Sequence, residues 1–282
     1  MITGRTRVAG VIGWPVAHSL SPVIHAAGIA SLGVDAAYVA FAVPPGRAGD
    51  AVRGAVALGL IGLSVTMPHK EDVAGCVDES DEATRLLRSA NTVVIDGDRT
   101  TGHSTDGDGF LDSLHDTEVA VDGVSALVLG SGGAGRAVTA ALSRAGARVT
   151  LSNRSDDSAS SFARDLSATT GRGVEHLSWA EVADGAADHG LIVNCTSLGL
   201  AGQGMPPIDV GRLSARHVVA DIVYHPESTP LLAAASARGA RTVGGLGMLI
   251  HQAARQERLW FGATPDVSAM TQSVRRALAG QG

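Results

Sequence analysis

Residues 127–138 read LVLGSGGAGRAV, an apolar strand followed by a glycine-rich loop and the start of a helix. Gly130, Gly132 and Gly135 match the pattern G-x-G-x-x-G, and a second apolar strand follows at Arg148–Ser152. A strand, a helix and a strand within about 30 residues form a βαβ unit, whose loop lets a pyrophosphate approach the backbone and the helix N-terminus. The stretch therefore predicts a dinucleotide-binding domain.

Further apolar strands follow this unit at Leu191–Asn194 and His217–Asp221. They alternate with helical segments such as Leu231–Arg238. Regular alternation of strands and helices is typical of a doubly wound parallel sheet. The second half of the chain is therefore predicted to be an α/β domain of the Rossmann type.

The residues after the second strand of the βαβ unit indicate which dinucleotide binds. NAD-binding domains usually place an acidic residue about 20 residues beyond the glycines, where it holds the ribose 2′-hydroxyl. This chain has Asn153, Arg154 and Ser155 there. A guanidinium group can form paired, charge-assisted hydrogen bonds with a 2′-phosphate, so we predict NADP as the cofactor. Asp156 and Asp157 leave NAD open as the alternative.

The first hundred residues predict another, smaller α/β unit that has no nucleotide-binding loop. Ser21 is expected to cap a helix that ends at Gly33. Near its end the chain is expected to form two more helices, at Met248–Trp260 and Val267–Leu278. The strands expected in the first unit are Val8–Ile12, Tyr38–Val43, Leu63–Met67 and Asn91–Ile95.

Length and composition limit the class of protein. The 282 residues exceed one typical domain of roughly 100–200 residues and predict two domains. The formal net charge of −6 argues against a nucleic acid or an anionic membrane as partner. No long apolar run is present, and Cys76 and Cys195 do not have the spacing of metal ligands. We expect a soluble, cytoplasmic protein without a metal, either a monomer or a homodimer.

A single lysine, Lys70, stands among the 22 lysine and arginine residues. An amine can lose its proton near neutral pH, whereas a guanidinium cannot. Lys70 is therefore the first candidate for proton transfer.

Five segments spread over both halves of the chain form an ordered set of motifs. They are GWPVAHSLSPVIH at 13–25, GLSVTMPHK at 62–70, SANTVV at 89–94, STDGDG at 104–109 and GLGMLIHQAA at 245–254. Together with the glycine-rich loop, NCTSLG at 194–199 and DIVYHPESTPLL at 221–232, this set resembles the shikimate dehydrogenase family. The resemblance implies reversible, NADPH-dependent reduction of 3-dehydroshikimate to shikimate, a step toward chorismate in aromatic amino acid biosynthesis.

The same resemblance implies roles for individual residues. Lys70 and Asp106 would be catalytic and would also contact the substrate. The other implied substrate-binding residues are Ser19, Ser21, Ser64, Thr66, Asn91, Tyr224 and Gln252. The implied cofactor-binding residues are Gly130, Ser131, Gly132, Gly133, Ala134, Asn153, Arg154, Ser155, Thr196, Ile222 and Gly245.

The resemblance also implies a discontinuous arrangement of domains. Residues 1–106 and 245–282 would form the substrate-binding catalytic domain, and residues 107–244 the NADP-binding Rossmann domain. Three positions depart from the usual motifs, because Ser64, Ser104 and Ala26 each stand where the family usually has asparagine. The departure at Ser64 bears most on substrate recognition, since that position faces the substrate in the family.

Two alternatives remain open at the level of sequence. One is a quinate/shikimate or aminoshikimate dehydrogenase that uses NAD or NADP. The other is a non-catalytic sensor that binds NADP, although the retention of Lys70, Asn91 and Asp106 argues against it.

Overall fold

The computed structural model describes residues 2–280. These residues form two compact units that divide between Thr105 and Asp106 and again between Leu249 and Ile250. The first unit contains the described residues up to Thr105 and from Ile250 onward, and the second contains Asp106–Leu249. The chain therefore leaves the first unit once and returns to it.

The first unit is built on a six-stranded mixed sheet with the strand order β2-β1-β3-β5-β6-β4. Its strands are β1 (Arg7–Gly13), β2 (Ala36–Ala42), β3 (Gly62–Val65), β4 (Glu79–Ser80), β5 (Thr92–Asp96) and β6 (Arg99–His103). Strand β1 is parallel to β2 and β3, whereas β5 is antiparallel to both β3 and β6.

Helices cover both faces of this sheet. They are α1 (Ser21–Leu32), α2 (Ala48–Ala57), α3 (Lys70–Ala74), α4 (Glu82–Leu87) and α11 (Val267–Ala279). One core includes Ile12, Leu63 and Val93, whereas the other includes Val11 and Trp260. Neighbouring residues of β1 thus enter opposite cores, as the alternation of side chains along a strand requires.

The prediction that Ser21 caps α1 is wrong. The helix begins at Ser21 itself, and the preceding residue, Leu20, provides no side-chain cap. Instead, the Ser21 backbone N–H donates to Ser19 Oγ at 3.2 Å. The predicted end of the helix is confirmed, because Gly33 has a φ of 65° and its N–H donates to the carbonyl of Ala30.

The second unit contains a six-stranded sheet with the order β12-β11-β10-β7-β8-β9, in which all neighbouring strands are parallel. Its strands are β7 (Ser125–Leu129), β8 (Arg148–Ser152), β9 (Val174–His176), β10 (Leu191–Asn194), β11 (Val218–Asp221) and β12 (Arg241–Val243). This order is that of a Rossmann fold, with its switch point between β7 and β10. The predicted doubly wound parallel sheet is confirmed.

The helices of the second unit connect these strands. They are α5 (Asp106–Asp116), α6 (Gly133–Arg144), α7 (Asp156–Thr170), α8 (Val182–Gly185) and α9 (Pro230–Ala237). Helix α10 (Gly245–Phe261) begins in the second unit and continues into the first. Within residues 2–280, no helix is both long and apolar enough to cross a membrane.

Candidate active site

Two loops of the first unit lie side by side at the carboxyl ends of β1 and β3. The Trp14 N–H donates to the carbonyl of Met67 at 3.0 Å, and the Thr66 N–H donates to the carbonyl of Ile12 at 3.0 Å. The second loop leads into α3, whose first residue is Lys70. The carbonyl of Lys70 accepts a hydrogen bond from the Ala90 N–H at 2.9 Å. The predicted catalytic lysine is thus held beside the residues that directly precede β5, among them Asn91.

The Asn91 side chain lies in a buried cluster with Thr105 and Gln252. Asn91 Nδ2 donates to Thr105 Oγ1 at 2.9 Å and to Gln252 Oε1 at 3.3 Å. Asn91 Oδ1 accepts hydrogen bonds from the Thr105 N–H at 2.8 Å and from Thr92 Oγ1 at 3.0 Å. Because a backbone N–H can only donate, these contacts fix which end of the Asn91 amide carries the oxygen.

Ser64 belongs to a second buried group that joins the Asn91 cluster through Gln256. The Tyr38 hydroxyl donates to Ser64 Oγ at 2.6 Å, and the Ser64 hydroxyl donates to Gln256 Oε1 at 2.7 Å. Burial raises the pKa of Tyr38, so its hydroxyl keeps the proton that it donates. The Ser64 hydroxyl has one hydrogen, and Gln256 receives it, so Ser64 can act toward a ligand only as an acceptor.

The third part of this network is a buried pair of titratable groups, His25 and Glu257. Both side chains are 0% exposed, and His25 Nδ1 lies 2.9 Å from Glu257 Oε1. His25 Nε2 lies 3.2 Å from Gln256 Oε1, an acceptor, so Nε2 carries a hydrogen. Burial lowers the pKa of His25 to about 3, which its hydrogen bond with Gln256 opposes, and burial raises the pKa of Glu257 to about 8. The pair therefore holds one proton between Nδ1 and Oε1 near neutral pH.

This shared proton makes the stability depend on pH. Between pH 6.5 and 8 the folded pair keeps one proton, whereas the unfolded chain has lost both, because the ordinary pKa values of these groups are 6.5 and 4.5. The folded state binds more protons, so the free energy of unfolding falls as pH rises, by on the order of 2 kcal/mol over this interval.

The variant Glu257→Gln tests this pH dependence, because glutamine keeps the shape of the side chain but does not titrate. In urea unfolding we expect the wild type, but not this variant, to lose stability over the interval; parallel profiles would contradict the shared proton.

The second unit contains the glycine-rich loop, which follows β7 as predicted. Gly130 has a φ of 107°, a region that favours glycine. A Cβ atom on Gly135 would lie 1.9 Å from the carbonyl oxygen of Gly130, so only glycine fits there. Gly132 precedes α6, and a Cβ atom built on it meets nothing within 4 Å. The loop thus leaves open space at a helix N-terminus, as a bound pyrophosphate requires.

The side chains around this loop link it to the end of β8. The Ser131 N–H donates to Asn153 Oδ1 at 3.3 Å, and Ser131 Oγ lies 3.0 Å from Ser158 Oγ. Arg154 follows Asn153 and is exposed just before the N-terminus of α7. Of the two aspartates on which the NAD alternative rests, Asp156 accepts a hydrogen bond from the Trp179 N–H at 3.1 Å. Arg154 is therefore an exposed cation at this site, while the Asp156 carboxylate is engaged with the backbone.

The ends of β10 and β11 hold the other predicted cofactor residues of this unit. Asn194 Oδ1 accepts hydrogen bonds from both the N–H and the hydroxyl of Thr196, at 3.0 and 2.7 Å, and Asn194 Nδ2 donates to Asp221 Oδ1 at 2.9 Å. Burial raises the pKa of Asp221. Gly245 approaches Ile222 so closely that a Cβ atom on it would lie 2.2 Å from the Ile222 carbonyl oxygen.

Two predicted substrate residues belong to the second unit. Asp106 is the first residue of α5 and is 7% exposed. Tyr224 is half-buried beyond β11, and burial raises the pKa of its hydroxyl. The remaining predicted substrate residues, from Ser19 to Asn91 together with Gln252, belong to the first unit.

Sequence reasoning missed the residues that connect these side chains. Thr105 lies within the quoted motif STDGDG, and Thr92 follows Asn91 directly. Gln256 lies four residues after Gln252 on α10 and therefore shares its face of the helix. Helical periodicity alone would have placed Gln256 beside Gln252, but it gives no sign of a contact with Ser64.

Comparison with known proteins identifies the family. The model of the shikimate dehydrogenase substrate binding domain matches residues 11–93, and that of the shikimate 5′-dehydrogenase C-terminal domain matches residues 245–275. The chain is 43% identical over 281 residues to a shikimate dehydrogenase (NADP(+)) of Acidiphilium cryptum, covering 99% of this chain and 100% of that protein.

Solved structures of shikimate dehydrogenases resemble this chain as well. A crystal structure of shikimate dehydrogenase in complex with NADP+ has a TM-score of 0.93 at 32% identity, covering 98% of this chain and 97% of that one. The Thermus thermophilus shikimate 5-dehydrogenase in complex with NADP(H) and shikimate has a TM-score of 0.88 at 33% identity, covering 96% and 99% of the two chains. With this identity over nearly its full length, the chain belongs to the shikimate dehydrogenase family, as its ordered motifs predicted.

Proposed function

We propose that this chain is an NADP-dependent oxidoreductase that interconverts 3-dehydroshikimate and shikimate. The observation that carries the proposal is the buried cluster of Asn91, Thr105 and Gln252, next to the backbone hydrogen bond from Ala90 to the carbonyl of Lys70. This cluster presents amide and hydroxyl groups of fixed orientation, which suit the hydroxyls of a small ring. Relatives that are 43% and 45% identical to this chain carry the name shikimate dehydrogenase (NADP(+)).

The substrate residues divide by the part of the substrate that each would bind. Ser19, Ser21 and Tyr224 would bind the carboxylate. Thr66, Asn91, Asp106 and Gln252 would bind the ring hydroxyls. Ser64 would accept a hydrogen bond, since its own hydrogen is donated to Gln256. In this arrangement the substrate carboxylate would be bound by the hydroxyl groups of Ser19, Ser21 and Tyr224, without a cationic side chain.

The cofactor residues fit NADP in this structure. The open backbone at Gly132 and the N-terminus of α6 would receive the pyrophosphate, and Arg154 would bind the 2′-phosphate. Asn153 and Ser131, which are hydrogen-bonded to one another, would line the adenosine end. Thr196, Ile222 and Gly245 would line the path toward the nicotinamide. We assign residues 107–244 to the cofactor and residues 1–106 and 245–282 to the substrate.

The chemistry of the reaction requires a proton as well as a hydride. Bound NADPH supplies the hydride that reduces the ketone carbon. The carbonyl oxygen must gain a proton at the same time, and Lys70 would donate it; in the reverse direction Lys70 would take the hydroxyl proton. Asp106 would accept a hydrogen bond from this oxygen when it is the hydroxyl of shikimate, and would act with Lys70 as a coupled pair.

A single assay tests the proposal against both alternatives. Nicotinamide absorbance is followed with shikimate and with quinate, each in the presence of NADP and of NAD. Turnover of shikimate with NADP is expected. Binding of NADP without turnover of either acid would instead identify a sensor.

The same assay gives a quantitative prediction about substrate choice. Quinate has a saturated ring and one more hydroxyl beside the carboxylate, so a site shaped for a flatter ring rejects it by shape. We expect kcat/KM with NADP to be at least about tenfold higher for shikimate, which corresponds to ~1.4 kcal/mol in transition-state binding. Comparable values for the two acids, or faster turnover with NAD, would place this chain with the quinate/shikimate enzymes.

A further inference from the structure

A chain of hydrogen bonds with a single direction runs from His25 to Asn91. His25 Nε2 donates to Gln256 Oε1, at 3.2 Å. Gln256 Nε2 then donates to Thr92 Oγ1 at 2.9 Å, and the Thr92 hydroxyl donates to Asn91 Oδ1 at 3.0 Å. The direction is fixed because Gln256 Nε2 also contacts the backbone carbonyl of Asn91 at 3.2 Å, and a carbonyl can only accept.

We propose that Thr92 and Gln256 are positioning residues that orient the Asn91 amide for substrate binding, an inference that rests on the proposed function. An asparagine amide can rotate by a half-turn and exchange its donor and acceptor ends. Because Gln256 Nε2 donates to the Thr92 oxygen, the hydroxyl hydrogen of Thr92 points toward its other neighbour, Asn91 Oδ1. Together with the Thr105 N–H, which also donates to Asn91 Oδ1, they hold the Asn91 amide in the orientation that leaves Nδ2 on the side of Gln252.

Gln256 fixes a second residue of the substrate half as well. Gln256 Oε1 accepts a hydrogen bond from the Ser64 hydroxyl, with 2.7 Å between Oε1 and Oγ. This bond fixes the rotation of the Ser64 hydroxyl and so the direction of its lone pairs. The amide that contacts Ser64 is therefore supplied by α10. One side chain therefore sets the orientation of both Ser64 and Asn91.

Burial separates this role from direct binding. Thr92 is 0% exposed and Gln256 is 1% exposed, so neither offers a polar atom to solvent or to a ligand. Their effect on a substrate must pass through Asn91 or Ser64. The polar side-chain atoms of Asn91, Thr92 and Gln256 all have hydrogen-bond partners, and buried groups that are satisfied in this way hold one arrangement.

The test compares Thr92→Val with Thr92→Ser. Valine has the shape of threonine without the hydroxyl, and serine keeps the hydroxyl without the methyl group. We expect Thr92→Val to raise the KM for shikimate about tenfold, with a smaller effect on kcat, because a misoriented Asn91 weakens binding in both the ground state and the transition state. The KM for NADP should stay within about twofold, and Thr92→Ser should resemble the wild type.

The outcomes separate this inference from the proposed function. A wild type that fails to turn over shikimate with NADP overturns the proposed function, and this inference falls with it. An active wild type with Thr92→Val unchanged, or with Thr92→Val and Thr92→Ser equally impaired, overturns this inference alone.

If Thr92→Val does not fold, the KM for shikimate of Gln256→Glu provides the test. Glutamate places an acceptor against Thr92 and turns its hydroxyl away from Asn91, so an unchanged KM for shikimate would overturn the inference.

Discussion

Replacing Lys70 by alanine should lower kcat by roughly 10²–10⁴ while KM for shikimate changes little. This range is the usual contribution of a general acid or base, and Lys70 is the group proposed to transfer the proton. A loss confined to kcat indicates an interaction that is made in the transition state. Steady-state kinetics in the direction of shikimate oxidation measure both constants, and near-normal kcat would exclude the role.

Lys70→Arg is the matched control for charge. It keeps the cation but cannot release a proton near neutral pH. If Lys70 transfers the proton, Lys70→Arg should also be strongly impaired, whereas a purely electrostatic role predicts that arginine restores most of the activity. NADP binding should be unchanged in both variants, since all the proposed cofactor residues belong to the second unit, whereas Lys70 belongs to the first.

The fold was predictable from sequence where strands are short apolar runs bounded by turn residues. Strands β8 and β10 have the predicted bounds, Arg148–Ser152 and Leu191–Asn194. Strand β6, Arg99–His103, was missed because its sequence, RTTGH, is polar and lacks such a run. It is a strand because it pairs antiparallel with β5 over five residues. Strand direction in this mixed sheet is set by tertiary pairing, which a local pattern does not contain.

The residues of the candidate site could be proposed from sequence only where they lie in recognisable motifs. Lys70, Asn91 and Gln252 come from such segments. Their supporting contacts join positions far apart in sequence, such as Ser64 with Gln256, and no local spacing indicates them. The error at Ser21 has a similar origin, because a Ser-Pro pair at a helix start is compatible with the serine at either the cap or the first turn.

Arg154 gives the second large effect, on the choice of cofactor. Arg154→Ala should weaken NADP binding by on the order of 2–4 kcal/mol, the expected loss for a charge-assisted pair with phosphate, and leave NAD binding nearly unchanged. Arg154 is exposed just before α7, so its guanidinium can reach a ligand directly from solvent. Calorimetric titration of each cofactor into the wild type and the variant measures the difference.

Arg164→Ala is the matched control, because Arg164 is also exposed and lies on α7 itself, two turns beyond its first residues. It removes the same charge from the same unit, so a long-range electrostatic effect would appear in both variants, and a direct contact only in Arg154→Ala. Asp156 accepts the Trp179 N–H and would stay in place. Equal losses of NAD and NADP affinity in Arg154→Ala would show that Arg154 supports the adenosine site in general, because only a contact with the 2′-phosphate discriminates between the two dinucleotides.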